Sequence, residues 1–324
     1  MPETCAPNAA LPALFDGLRL PVIAAPMFIV SSPELVIAQM KAGIVGSFPA
    51  LNARPASQLD EWLHRITEET RGYPVPFAVN LIVHKSNTRL EEDLAVLARW
   101  KVPLVITSLG ARPDVNQAVH AWGGVVMHDV IDNVFARKAI DKGADGLIAV
   151  AAGAGGHAGR QSPFALVQEI RSWFSGPLAL SGAIANGAAV AAAQALGANF
   201  AYIGSPWIAT PEAHASTAYK QAIVDGHAAD IVNSSLFTGV HGNYLRASII
   251  AAGLDPDNLP EGDKTHMDFG AGGDTAAKVW RDIWGAGQGI GAIEAIEPVA
   301  ARVDRLTREY HEALTRLAPR SGIG

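Results

Sequence analysis

Short apolar runs rich in valine and isoleucine recur along the first two thirds of the chain, and segments with helical spacing alternate with them. Eight runs predict strands, at 21–25, 43–47, 76–80, 103–107, 124–128, 146–150, 177–181 and 200–204. Seven segments with apolar residues three or four positions apart predict helices, at 33–42, 57–70, 88–100, 113–121, 131–142, 163–174 and 187–196. The strands are apolar throughout, as expected when both faces of a parallel sheet are buried. Eight such units predict an α/β protein with a (β/α)₈ TIM barrel rather than an open doubly wound sheet.

The alternation ends near residue 211. Residues 212–283 contain helical pieces, a polar turn region and a glycine-rich stretch at 269–274, whereas 292–318 has the pattern of a strongly amphipathic helix. The sequence therefore predicts two domains. A TIM barrel comprises 1–211 and 284–324, and a helical substrate or lid domain is inserted after the eighth strand, at 212–283.

Composition restricts the classes of ligand. The chain is 49% hydrophobic and 17% charged with a net charge of −6, which favours a large core and argues against nucleic acid, whose phosphates need a basic face. Apolar stretches stay below the roughly 18 residues of a membrane span, and the first residues lack the pattern of a signal peptide. Cys5 is the single cysteine, and the histidines lack zinc spacing. These features predict a cytoplasmic protein that binds a small molecule, with no metal and no membrane contact.

In a (β/α)₈ barrel the functional residues follow the C-terminal ends of the strands. Two glycine-containing turns, 181–187 and 203–207, follow the seventh and eighth predicted strands. Either turn alone is as well explained by a tight connection. Their coincidence after these two strands favours a phosphate site, because backbone N–H groups converge there.

The loop 151–160 after the sixth predicted strand contains four glycines and His157. Glycines allow backbone to approach a flat ligand, and an imidazole in such a loop is a candidate catalytic group. The spacing only approximates a dinucleotide fingerprint, which would follow the first strand. His128 and Asp129 end the fifth strand, where they contact either the ligand or each other, and Asn80 at the third strand is a candidate for contacting a ring edge.

Other candidates lie outside these turns. The segment 238–248 offers His241, Asn243, Tyr244 and Arg246 to a pocket, and Arg246 suits either an anionic substrate or a structural ion pair. Trp280 and Trp284 are one helical turn apart and predict packing of the core or lid rather than stacking on a ligand. Most of the remaining histidines are expected at the surface.

At these residues the chain resembles the nitronate monooxygenase family, formerly called 2-nitropropane dioxygenases. The resemblance comprises six motifs along most of the chain: PVIAAPM at 21–27, AGIVGS at 42–47, PFAVNL at 76–81, AGGHAG at 154–159, SGAIANGAAVAAAQALGANFAYIGSPWIAT at 181–210 and GAGQGIG at 285–291. The combination is more specific than any one motif. It implies non-covalently bound FMN in a TIM barrel and oxidation of alkyl nitronates by O₂ to a carbonyl compound and nitrite.

The resemblance also implies roles for individual residues. His157 would be catalytic or would orient the substrate. Ala25, Pro26, Met27 and Asn80 would contact the isoalloxazine, and Gly182, Ala183, Gly204 and Ser205 would bind the phosphate. The predicted FMN site is completed by five further residues: His128, Val150, Gly155, Gly156 and Ser181.

The chain departs from the family pattern at several positions. Val150 and Gly153 stand where relatives often have Gln and Glu, and Gly204-Ser205-Pro206-Trp207 replaces a frequent Gly-Thr-Arg-Phe. His128-Asp129 stands where some relatives have a lysine. Two alternatives therefore stay open: an NAD(P)H-dependent quinone or enoyl reductase on the same FMN barrel, and a non-catalytic FMN-binding module. A homodimer is compatible with the sequence, which does not specify an oligomeric state.

Overall fold

The computed structural model describes residues 11–262 and 282–318, and eight parallel strands form its central sheet. They are β1 (Val22–Ala24), β2 (Gly46–Pro49), β3 (Phe77–Ile82), β4 (Leu104–Ser108), β5 (Val125–Val130), β6 (Gly146–Val150), β8 (Leu178–Ser181) and β9 (Phe200–Ile203). Their order in the sheet is β1-β9-β8-β6-β5-β4-β3-β2. A bridge between Ile23 and Val45 joins β1 to β2 and brings the two edges of the sheet together, so the sheet forms a nearly closed barrel.

Helices flank the barrel in the predicted alternation, so the predicted (β/α)₈ fold is confirmed. The helices that follow the first seven barrel strands are α1 (Pro33–Lys41), α2 (Gln58–Glu69), α3 (Leu90–Trp100), α4 (Pro113–Ala121), α5 (Asn133–Asp141), α6 (Pro163–Arg171) and α7 (Gly187–Leu196). The largest shift concerns the strand predicted at 43–47, which begins at Gly46. Gly43 has a φ of +91° and belongs to the turn that ends α1, because its amide donates to Met40.

The interior of the barrel is packed with side chains. Alternate residues of the strands, including Ile106, Met127 and Ile148, form one buried apolar cluster. Phe15, from a short 3₁₀ helix, packs at 4.6 Å from the ring of Phe200 at the start of β9. This end of the barrel is therefore closed, and space for a ligand remains at the C-terminal ends of the strands.

The last helix, α11 (Val299–Leu317), packs against α7. It begins at Val299 rather than at residue 292, because Pro298 has an extended ψ of 148° and the residue before a proline disfavours helix. The buried guanidinium of Arg302 donates to the carbonyls of Ala209 and Ala295 at 3.1 and 2.7 Å. The bond to Ala209 attaches α11 to the segment that follows β9.

The segment after β9 contains helices and a hairpin. Its helices are α8 (Ser205–Ile208), α9 (Thr217–Asp225) and α10 (Arg246–Ala251). The sequence does not predict the antiparallel strands β10 (Ile231–Ser234) and β11 (Gly242–Leu245), because they are too short for an alternating apolar pattern to be recognised. β11 also pairs with β7 (Gly156–His157) in the glycine-rich loop. The predicted stretch 269–274 and Trp280 lie outside the described residues, and the boundary of a lid domain at 212–283 stays a prediction.

Within the two ranges that the structure describes, none of the helices has both the length and the apolar character required to cross a bilayer.

Candidate functional site

A cavity of about 690 Å³ lies at the C-terminal ends of the barrel strands. All fourteen predicted site residues line it: His157, Ala25, Pro26, Met27, Asn80, His128, Val150, Gly155, Gly156, Ser181, Gly182, Ala183, Gly204 and Ser205. Residues from six barrel strands or the connections that follow them thus meet in one place. Their individual roles stay predictions, whereas their common location is a feature of the structure.

Backbone strain is concentrated in the wall of this cavity. Four non-glycine residues in the described part of the chain have a positive φ, and three of them line the cavity: Ile29 at 68°, Leu109 at 64° and Ala183 at 54°. A β-branched residue such as Ile29 rarely adopts this conformation. Strain of about 1–3 kcal/mol per residue persists where surrounding contacts impose it, and it is found often at active sites and ligand clamps.

Asn52 holds the loop that follows β1 in its strained shape. Its Oδ1 accepts from the amide of Ile29 at 3.0 Å, and its Nδ2 donates to the carbonyls of Met27 and Ser31 at 3.0 and 2.8 Å. On the other side, His214 donates its amide to the carbonyl of Val30. The first predicted cofactor contact, Ala25 to Met27, is therefore presented by a loop fixed at both sides.

The turn after β8 requires its glycine. Gly182 has a φ of +139°, and a Cβ there would lie 2.7 Å from the carbonyl oxygen of Ala152. The amide of Ala183 donates to Gly153 at 3.2 Å, and the amide of Gly187 at the start of α7 donates to Glu309 Oε2 at 2.8 Å. The first amide of α7 is thus already bonded within the protein.

Ser205 accepts a hydrogen bond in the neighbouring turn after β9. Its Oγ accepts from the amide of Gly287 at 2.9 Å, and this bond leaves the hydroxyl hydrogen of Ser205 for another acceptor. Because Ser205 lines the cavity, its hydroxyl suits a phosphate oxygen.

The segment 285–291 joins two of the glycine-containing connections, those after β6 and β9. Gly287 donates to Ser205, and Gln288 donates to the carbonyl of Gly153 at 2.9 Å. A Cβ on Gly155 would lie 2.8 Å from the nitrogen of Gly287, so these backbones pack directly on each other. The family motif at 285–291 thus supports the wall of the cavity.

We expect Gly287→Ala to destabilise the protein by about 1–3 kcal/mol, in the range of overpacked sites. A Cβ at Gly287 would lie 2.7 Å from the carbonyl oxygen of Gly153, whereas at Gly285 the nearest atom is 3.5 Å away, which is ordinary contact. Gly285→Ala is therefore the matched control, with an expected change within about 0.5 kcal/mol. Urea unfolding of both variants measures the difference. Equal stabilities of the two variants would refute the role of this backbone contact.

His157 is held by the inserted segment. Its Nε2 lies 2.9 Å from Thr238 Oγ1, and Thr238 Oγ1 donates to the carbonyl of Val240 at 3.1 Å. When the hydroxyl hydrogen points to this carbonyl, which can only accept, Nε2 is the nitrogen that donates to Thr238. Nδ1 is then the nitrogen with the lone pair. Burial lowers the pKa of His157 to about 4, so the imidazole is neutral around pH 7.

His128 and Asp129 have separate partners on opposite faces of β5. His128 lies on the same face of β5 as Val126 and Val130, the face directed away from the barrel interior. Its Nδ1 is hydrogen-bonded to Thr107 Oγ1 at 2.6 Å. Burial lowers the pKa of His128 to about 4. Asp129 lies on the same face of β5 as Met127, the face directed into the barrel interior. Its Oδ2 accepts a hydrogen bond from Ser108 Oγ at 2.5 Å. The structure thus gives no hydrogen bond between these two side chains.

The candidates in 238–248 do not line the cavity. Arg246 forms a bidentate ion pair with Asp257 at 2.8 and 2.9 Å, which is the structural alternative considered for it. Asn243 donates to the carbonyl of Ala154 at 2.6 Å, His241 bonds Asn233, and Tyr244 is buried. Asn243 therefore supports the loop that carries His157.

Several lining residues were not predicted as site residues. The rings of Tyr219 and Trp284 stack at 5.0 Å with an interplanar angle of 11°, and Tyr219 donates to the carbonyl of Gly285 at 2.5 Å. Trp284 packs against the core, as predicted, and it also lines the cavity. Tyr202 of β9 also lines the cavity. Its hydroxyl group within an otherwise apolar strand is the sequence feature that could have indicated a site residue.

A (β/α)₈ barrel with a strained, glycine-rich cavity at its C-terminal strand ends, and a buried imidazole in that cavity, has the architecture of an enzyme. The sequence matches the family model described as nitronate monooxygenase over residues 53–309. The chain therefore belongs to the nitronate monooxygenase family, a family of flavin-dependent oxidoreductases.

Individual relatives agree with this assignment. The nitronate monooxygenase of Paraburkholderia phytofirmans is 26% identical, in an alignment covering 98% of this chain and 99% of that protein. Among solved structures, nitroalkane oxidase from Streptomyces ansochromogenes is 25% identical with a TM-score of 0.75, covering 95% of this chain and 100% of that one. FabK from Thermotoga maritima is also 25% identical, with a TM-score of 0.76 and coverage of 94% and 96%.

Proposed function

We propose that this chain is an FMN-dependent enzyme that oxidises alkyl nitronates with O₂ to a carbonyl compound and nitrite. One observation carries the proposal: His157 and all the residues predicted to bind FMN line the same cavity in a chain of this family. The insertion after β9, which holds His157 through Thr238, would act as the lid.

The residues present fit FMN. In the turn after β8 there is no room for a Cβ at Gly182, so the backbone can approach a phosphate closely. After β9, the hydroxyl of Ser205 can donate to a phosphate oxygen. The loop from Ala25 to Met27 and the amide of Asn80 would contact the flat ring system. Bound FMN would supply the redox chemistry, by accepting electrons from the substrate and passing them to O₂.

His157 would act on the substrate. A nitronate is already deprotonated, so a neutral imidazole would orient it by hydrogen bonding. With a neutral nitroalkane, Nδ1 of His157 would remove the α-proton. Apolar side chains around the cavity, including Ile29, Ile184 and Trp284, would exclude water and accept the alkyl part of the substrate.

A steady-state assay with the purified, FMN-loaded protein tests the proposal. We expect ethyl nitronate and propyl 1-nitronate to consume O₂ and to release nitrite in proportion to substrate. NADH with a quinone should give slow turnover or none. Rapid NADH oxidation with a quinone, combined with no nitrite from any nitronate, would sink the proposal.

The second candidate is an NAD(P)H-dependent reductase on the same barrel, favoured by the similarity to FabK. The same assay separates the two, because only the reductase requires a nicotinamide. A third function, FMN binding without catalysis, would give a yellow protein that turns over no substrate in either arm.

A further inference from the structure

Carboxyl groups are nearly absent from the barrel itself. The eight described barrel strands contain three titratable side chains, His128, Asp129 and Tyr202, and Asp129 is their only carboxylic acid. Asp129 lies near the C-terminal end of β5 on the inward-facing side, and it lines the cavity. A charged residue at such a position costs free energy unless it is paired or functional.

Asp129 is held at one oxygen only. Asn80 Nδ2 donates to Ser108 Oγ at 2.7 Å, and Ser108 donates to Asp129 Oδ2 at 2.5 Å. Oδ1 is shielded from solvent and has no hydrogen-bond partner among the described residues. The group is thus positioned by a neutral chain of side chains, and half of its acceptor capacity is unsatisfied.

The negative charge of Asp129 is not balanced by a lysine or arginine in the described lining of the cavity. Among the described residues that line the cavity there is no lysine or arginine; the titratable ones besides Asp129 are His84, His128, His157, Tyr202, His214 and Tyr219. The strands next to β5, β4 and β6, carry no titratable side chain. Burial of the phenol, and after it the charge of Asp129, raises the pKa of Tyr202 of β9. Burial raises the pKa of Asp129 to about 6.

We propose that Asp129 is the group that takes up a proton when the flavin bound in this cavity is reduced. The inference rests on the proposed FMN site. Reduction adds negative charge to a cavity without a lining lysine or arginine, and a nearby like charge disfavours the charged form of a carboxyl and so raises its pKa. Asp129 then takes one proton from solvent and becomes neutral, which removes the repulsion. Reoxidation by O₂ returns the proton.

Asp129→Asn isolates this role. The amide oxygen of asparagine can still accept from Ser108, and the side chain is a neutral isostere of the protonated acid. The variant should therefore bind FMN and keep its fold, but it cannot change charge. His84→Asn is the matched control, because it removes another titratable group that lines the cavity.

The test is anaerobic photoreduction of the FMN-loaded proteins in weak buffer, with a pH indicator counting protons taken up per flavin between pH 6 and 8. We expect the wild type and His84→Asn to take up more protons than Asp129→Asn, by up to about one proton per flavin. FMN bound normally with equal proton uptake in the wild type and Asp129→Asn would overturn this inference alone. Absence of bound flavin in the wild type would overturn the proposed cofactor and this inference with it.

Discussion

Replacement of His157 by asparagine should lower kcat/KM for a neutral nitroalkane by about 10²–10⁴-fold, the range for loss of a general base. In the tautomer that donates to Thr238 through Nε2, the lone pair of Nδ1 is the basic site, and the low pKa keeps the imidazole neutral at assay pH. Asparagine can still donate to Thr238 but has no comparable base. With a preformed nitronate, where no α-proton is removed, the loss should be clearly smaller.

The difference between the two substrates is what would identify His157 as a base. His241→Asn is the matched control, since His241 lies in the same inserted segment, bonds Asn233 and does not line the cavity. It should leave both rates unchanged. Full turnover of His157→Asn on both substrates would show that His157 is not catalytic, and equal losses on both would show that it acts other than as a base.

The second large effect is expected at Ser205. Ser205→Asp would place a carboxylate where the proposal puts the phosphate of FMN. Two unit charges about 4 Å apart at an effective dielectric constant of about 20 repel by about 4 kcal/mol. Each 1.4 kcal/mol is about tenfold in affinity, so the dissociation constant of FMN should rise by at least about 100-fold.

Ser205→Asn is the control for size and shape. Both new side chains can accept from the amide of Gly287, as Ser205 does, but only aspartate is charged. The asparagine variant should bind FMN within about tenfold of the wild type, in line with loss of one hydrogen bond. Fluorescence titration of the apoproteins with FMN measures both. Equal affinities of the two variants would place the phosphate elsewhere.

Local sequence features predicted the barrel and the set of cavity residues because both depend on short stretches of chain. The apolar runs specify buried parallel strands, and their order specifies which loops share the C-terminal face. Glycines such as Gly182 mark positions where a Cβ has no room. Each of these signals is contained within a few residues.

Contacts between distant segments were not predictable in this way. Thr238 orients His157 across 81 positions of sequence, and Tyr219 meets Trp284 only because the chain returns to the barrel after the insertion. The side of β5 on which His128 and Asp129 lie depends on where the strand begins, since a shift of one residue exchanges the faces. The position of Asp129 against Ser108 therefore required the structure.

Anaerobic mixing of the FMN-loaded protein with ethyl nitronate tests the central claim most directly. The proposed function predicts that the flavin absorbance near the visible maximum is lost on mixing, and that admission of O₂ restores it and releases nitrite. Flavin that stays oxidised with the nitronate but is bleached by NADH would contradict nitronate oxidation and identify the protein as a reductase.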